Sequence, residues 1–164
     1  MNFSFYVEKL ENSEEFKKFK NEFPESFPCS CFFVIDKQGS DNKQHFDFYL
    51  PKEKRISSFQ LENGQLVPIQ EVKEKPEEIS LEHDFDFKEI EELIVKEMET
   101  NKIKNDIQKI LFSMQRVKGK DYLIGTIFIP KLGMIKVNID IAEKKITDFE
   151  KRSFLDMMKI FKKK

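Results

Sequence analysis

The sequence predicts an α+β protein made of two tandem units, each a helix followed by a four-stranded antiparallel meander, with a further helix at the carboxyl end. Three observations predict it. Apolar residues recur at helical spacing in two short stretches, each stretch precedes four alternating runs, and turn-forming residues separate those runs. The expected units span 1–75 and 76–164, divided in the charged stretch Val72 to Ser80, where Pro76 sits among Lys and Glu.

The first helix is expected over 14–22. Asn12 and Glu15 have capping-box spacing, with Ser13 as an alternative cap; Phe16, Phe19 and Phe23 recur at helical spacing, and Pro24 ends the run. A strand follows from Cys29 to Ile35, with Cys29, Cys31, Phe33 and Ile35 on one face. The polar loop Lys37 to Gln44 leads to a second strand, His45 to Leu50, stopped by Pro51. Ile56 to Leu61 makes a third. Asn63-Gly64 predicts a type I′ hairpin turn, because both residue types tolerate positive φ, and Leu66, Val67 and Ile69 form the fourth strand.

The second helix begins after Asp86, with Glu89 as capping partner. Its stripe is Ile90, Leu93, Ile94 and Met98, extending toward Ile103 and Ile107. The period then changes to alternation over Ile110 to Gln115, Tyr122 to Ile129 (stopped by Pro130), Met134 to Ile141, and Ile146 to Phe149. Turns are expected at Lys118 to Asp121 and Ala142 to Lys145. The tail from Lys151 to Lys164 is basic and amphipathic, and Phe154, Leu155, Met158 and Phe161 share a helical face expected to dock on the second sheet.

The halves also match in detail. Phe48-Tyr49-Leu50-Pro51-Lys52 aligns with Ile127-Phe128-Ile129-Pro130-Lys131, and at the same offset Ile56 meets Ile135. With its last hairpin reading Ile135-Lys136-Val137-Asn138-Ile139-Asp140-Ile141-Ala142-Glu143-Lys144-Lys145-Ile146, the second half resembles a PepSY-type domain over 87–150. The first half resembles it more faintly over 14–70. Lys144 or Lys145 stands where that family usually has a turn glycine. Tandem units of this shape also resemble β-lactamase inhibitory proteins, whose disulfides and aromatic hot spots are absent. Both resemblances imply binding or inhibition of other proteins.

Composition narrows the function classes. Charged residues make up 36% of the 164, above the roughly 25% of an average domain, so the surface is heavily solvated. The apolar share is concentrated in 18 Phe with no Trp, enough large side chains to drive a core. With 29 Lys+Arg against 30 Asp+Glu, the net charge of -1 does not recruit a polyanion. No transmembrane run and no signal-peptide pattern is read, and two cysteines are no disulfide framework. The expected compartment is the cytoplasm.

No catalytic, cofactor or metal residue is assigned. Cys29, Cys31, His45 and His83 are zinc-type ligands, but their spacing fits no common finger or ribbon, and both cysteines are assigned to packing. Glu82-His83-Asp84 with Asp86 has acid–base chemistry; preceding a helix, these residues are read as caps and dipole partners. P-loop, nucleophile-elbow, dinucleotide and His-Glu-x-x-His patterns are absent, and only 5 Gly exist to build a phosphate cradle. The expected function is a non-enzymatic protein-binding or regulatory module, inhibitory in kind, with another protein as partner. The alternatives are a small-molecule binder or enzyme using a cleft between the units, and nucleic-acid association through the basic tail.

Overall fold

The computed structural model describes residues 1–153 and, beyond them, Met158, Lys159 and Lys162; of Gln70 only the backbone is described. The chain is α+β: α1 (Phe3–Glu11), α2 (Glu14–Glu22), β1 (Phe27–Asp36), β2 (Lys43–Leu50), β3 (Arg55–Gln60), β4 (Gln65–Glu71), α3 (Phe87–Thr100), β5 (Lys109–Val117), β6 (Lys120–Ile129), β7 (Gly133–Asp140) and β8 (Lys145–Ser153). All eight strands form one antiparallel sheet in the order β4-β3-β2-β1-β5-β6-β7-β8. Its midline is the β1–β5 pair, with Phe33 opposite Phe112.

Helix α1 is an element that the sequence reading lacks. Its signals are compressed into nine residues at the chain start. Asn2 caps it by accepting the Ser4 amide at 2.7 Å, and Phe3, Val7 and Leu10 give its buried stripe. Asn12 therefore closes α1, and Ser13 caps α2 by accepting the Phe16 amide at 3.1 Å. Asp86 caps α3. That helix stops at Thr100 rather than running toward Ile107, because Lys102 enters the left-handed region at φ 58°.

The three helices cover one face of the sheet. Phe3 on α1 packs on Phe33 and Phe46, with ring centroids 6.0 and 6.1 Å away, and Phe19 on α2 sits 5.0 Å from Phe59. Phe87 on α3 lies 4.7 Å from Phe33 and 6.0 Å from Phe112. Beyond Phe112 the core turns aliphatic, with Leu123, Ile127, Ile135, Val137 and Ile139 all buried. Phe112 fits because its neighbour on β6 is Gly125: a Cβ there would stand 2.7 Å from Val137 Cγ2 and 3.1 Å from the Phe112 ring.

Two turns differ from expectation. Asn63 does not take positive φ; Gly64 alone does, at 65°, closing a four-residue turn in which Asn63 accepts the Gln65 amide. The two-residue turn is instead Lys118-Gly119, with φ of 50° and 79° between the paired Val117 and Lys120. Where Gly64 precedes β4, Lys144 precedes β8 with φ 49°. The tail is helical at Met158, Lys159 and Lys162, as expected, but its start differs. Lys151 to Ser153 continue β8, pairing with Ile135, Met134 and Gly133, and do not begin a helix. Of the expected apolar face, Met158 is 41% exposed, and Phe154, Leu155 and Phe161 lie outside the described residues.

Two substitutions test these backbone constraints. Lys144→Gly should raise stability by about 1 kcal/mol, since a left-handed conformation costs a side-chain-bearing residue that much. Gly125→Ala should lower it by about 1–3 kcal/mol through overpacking. Urea unfolding midpoints read both.

Candidate functional site

Three places combine polar or exposed apolar groups in a way that could serve function. One is a buried carboxylate on β6, one is the sheet face opposite α1, α2 and α3, and one is a groove between α1 and α3.

Asp121 stands at the start of β6, directly across from Arg116 on β5, because the tight Lys118-Gly119 turn sets that register. Its side chain is only 1% exposed. Arg116 donates from Nε at 2.7 Å and Nη2 at 3.2 Å, the Ser80 amide donates at 2.9 Å, and His83 Nε2 lies 2.6 Å away. Burial works to raise the Asp121 pKa, but the hydrogen bonds from Arg116, His83 and Ser80 outweigh it and hold the carboxyl below its usual range. Three of these contacts fall on Oδ2 and one, from Arg116 Nε, on Oδ1. Burial of the side chain, 1% exposed, keeps the carboxylate from a substrate in solvent. The cluster is therefore a clamp, tying the segment before α3 to the sheet.

The residues singled out in the sequence do not converge. Cys31 lies in the core, while a bulge between Pro28 and Ser30 moves Cys29 out of that cluster, where its Sγ lies 3.5 Å from the Asp47 carbonyl. Burial, and then the nearby Asp47, push the Cys29 thiol up to about 12, and burial raises Cys31 further above its ordinary value, so neither is a ready thiolate. His45 contacts Glu62 at 2.6 Å. His83 is drawn to Asp121, away from its acidic neighbours: Asp86 caps α3, Asp84 accepts from Asn2 Nδ2 at 3.4 Å, and the Glu82 amide donates to Ser80 Oγ. Among the described residues, no group of three or more His, Cys, Asp or Glu could hold a metal. Arg116 and Asp121 are what the sequence reading missed; a Lys-Gly turn read as two residues would have set them opposite each other.

Helices α1, α2 and α3 all lie on the other side from the second face of the sheet. Its rows follow from the register: Phe32 meets Ser113 and Ser113 meets Ile124; Leu111 meets Thr126; Phe128 meets Met134. Phe32, Leu111, Ile124, Phe128 and Met134 are all half-buried. No described helix is long and apolar enough to cross a membrane.

The groove lies on the helical face, where α1 and α3 diverge over β1. Their N-termini are held together by a bridge between Asn2 and Asp86, with the Phe3 amide donating to the Phe85 carbonyl and the Phe87 amide to the Met1 carbonyl. Away from that point the helices leave sheet uncovered, and a cavity of about 1020 Å³ opens over Phe33 and Ile35. Phe5 and Val95 stand on its walls, 49% and 39% exposed. Tyr6, also lining it, has its phenol pKa raised by burial and then by Asp86.

Removing the clamp should be costly. Asp121→Ala leaves Arg116 and His83 without their partner and should cost about 3–5 kcal/mol at pH 7. Because the folded pKa is depressed, Asp121's contribution is present above the unfolded value of about 3.9 and lost as pH falls through the folded value. The gap between wild type and variant in urea midpoints should therefore shrink below about pH 4.

No family model matches the chain, and no curated protein does. Among solved structures, a protein described as a putative lipoprotein of Clostridium difficile 630 has a similar fold, with a TM-score of 0.57 over 85% of this chain and 91% of that one at 8% identity. A likeness at that identity concerns the fold alone.

Proposed function

We propose that the protein is a non-enzymatic binding or regulatory module whose sheet face opposite α1, α2 and α3 receives another protein. The carrying observation is the apolar group at the centre of that face, Phe32, Leu111, Ile124, Phe128 and Met134, left half-buried. Large apolar patches of this kind mark interaction sites, and aromatic residues and Met are enriched at interface cores. The buried, ion-paired Asp121 carboxylate and the buried, high-pKa cysteines favour binding over catalysis. Cytoplasmic residence belongs to the same proposal, supported by two free thiols.

The tandem reading, with units over 1–75 and 76–164, also belongs here. In its favour, the offset that carries Pro51 onto Pro130 also carries Phe33 onto Phe112, and these two are partners across the β1–β5 seam. Asn2 and Asp86, the caps of α1 and α3, pair with each other in the same way. The Phe3–Phe33 and Phe87–Phe112 contacts share a centroid spacing of 6.0 Å. Such correspondences fit two units about a pseudo-two-fold axis through the seam, and a helix leading into a meander supports the PepSY-like resemblance. The first unit departs from strict repetition by carrying α2.

Leu111→Asp with Ile124→Asp tests the binding surface. Both side chains point away from the helices, so the melting temperature should stay within a few degrees of wild type. Affinity capture from the native host, compared between the two proteins by mass spectrometry, should lose its specific partner in the double variant. An identical capture profile from the two folded proteins would refute this surface.

A further inference from the structure

We propose that the groove between α1 and α3 is a ligand site for a long-chain carboxylate, a single acyl chain lying on Phe33 and Ile35 with its head group held by rim lysines. This goes beyond the protein-binding reading, because the groove lies on the opposite side of the sheet from the apolar patch.

The volume comes first. About 1020 Å³ sits at the top of the range of roughly 300–1,000 Å³ typical of small-molecule sites. A second hollow of about 640 Å³ shares Lys37, Glu91, Val95 and Glu99 with it and continues along α3 to Ile107. The space is thus long, following a helix of 14 residues, or roughly 21 Å. An elongated, unbranched ligand fits that form.

Hydrogen bonding then selects the body of the ligand. The walls are helices, whose backbone groups are bonded internally, and the floor is β1, paired on both sides by β2 and β5. An extended peptide would find no main-chain partners there. A polymethylene chain needs none, and the exposed side chains of Phe5 and Val95 offer it apolar walls.

Charge selects the head. Five lysines and three glutamates line the main cavity. Lys37 is engaged by Glu91 at 2.8 Å and Lys43 by Asp41 at 3.4 Å. Lys9 on one wall and Lys88 and Lys96 on the other form no ion pair among the described residues, and Glu92 and Glu99 likewise form none. On the α3 wall those two lysines are balanced by the two glutamates, so the excess is one cation, Lys9 on the α1 wall. An anionic head group is favoured over a neutral or cationic one.

The test is calorimetric titration of the full chain with dodecanoate, tetradecanoate and tetradecanol, backed by displacement of a fluorescent undecanoate probe. Saturable one-to-one binding is expected, tightening up to about fourfold per added methylene, with the carboxylate at least fivefold tighter than the alcohol of equal length. Val95→Glu should abolish binding without moving the melting temperature, and Phe5→Glu is the second blocking variant should the first melt early. Lys9→Gln with Lys88→Gln and Lys96→Gln should erase the preference for the acid while leaving the alcohol's affinity unchanged. The Leu111→Asp, Ile124→Asp protein should bind acyl chains like wild type, so failure of the sheet-face reading would leave this one standing. Equal binding of acid and alcohol, undiminished binding in both blocking variants, or capture of an acidic peptide in place of any acyl chain would overturn it.

Discussion

The antiparallel pairing of β1 with β5 is the constraint on which the rest depends. Without it the strands before residue 72 and those after residue 108 would be separate sheets, each with an unpaired edge beside its apolar core. The seam is made by Cys31, Phe33 and Ile35 facing Met114, Phe112 and Ile110, all on the side beneath the helices. Phe33 is its centre, touched by rings from α1, α3 and β2. Gly125 supplies the room for Phe112 beside it. The packing works because one missing side chain offsets one large one.

Covering this seam needs the helices to start in the right place, and the segment between β4 and α3 arranges that. Ile79 is buried, and its amide donates to the Pro28 carbonyl at 2.9 Å. Asp121 then gathers Ser80 and His83, and the Asn2–Asp86 bridge brings α1 and α3 to one origin. A chain that reads as a charged linker is thus pinned at several points, and the groove is what remains where two helices leave a common origin in different directions. Site and scaffold share one cause.

Much of this was legible in the sequence. Strong alternation, as in Ile135, Val137 and Ile139, gives β7 directly, and Ile90, Ile94 and Met98 give α3, because those patterns reflect burial on one face. Helix α1 escaped because its apolar residues, Phe3, Phe5, Tyr6, Val7 and Leu10, are not confined to one buried stripe, and Phe3 is held by stacking on Phe85, a contact far along the chain. The strand at Lys151 to Ser153 escaped because its charged side chains carry no alternation; the backbone of β7 dictates it. The groove could not be read at all, since its lining joins residues from Met1 to Glu99 that only the tertiary arrangement assembles.

The seam also bears on synthesis at the ribosome. Strand β1 emerges first and finds β2 at once, but its other edge waits for β5, whose first residue, Lys109, follows Asp36 by most of a domain's length. At about 5–20 residues per second that interval lasts on the order of several seconds. Through it, Cys29-Ser30-Cys31-Phe32-Phe33-Val34-Ile35 is an unpaired, uncharged, aromatic edge, the kind of template that invites pairing with a neighbouring nascent chain. Crowded polysomes would expose many copies of it at once. A cell making this protein in quantity must shield that edge co-translationally, so chaperone demand is written into the strand order itself.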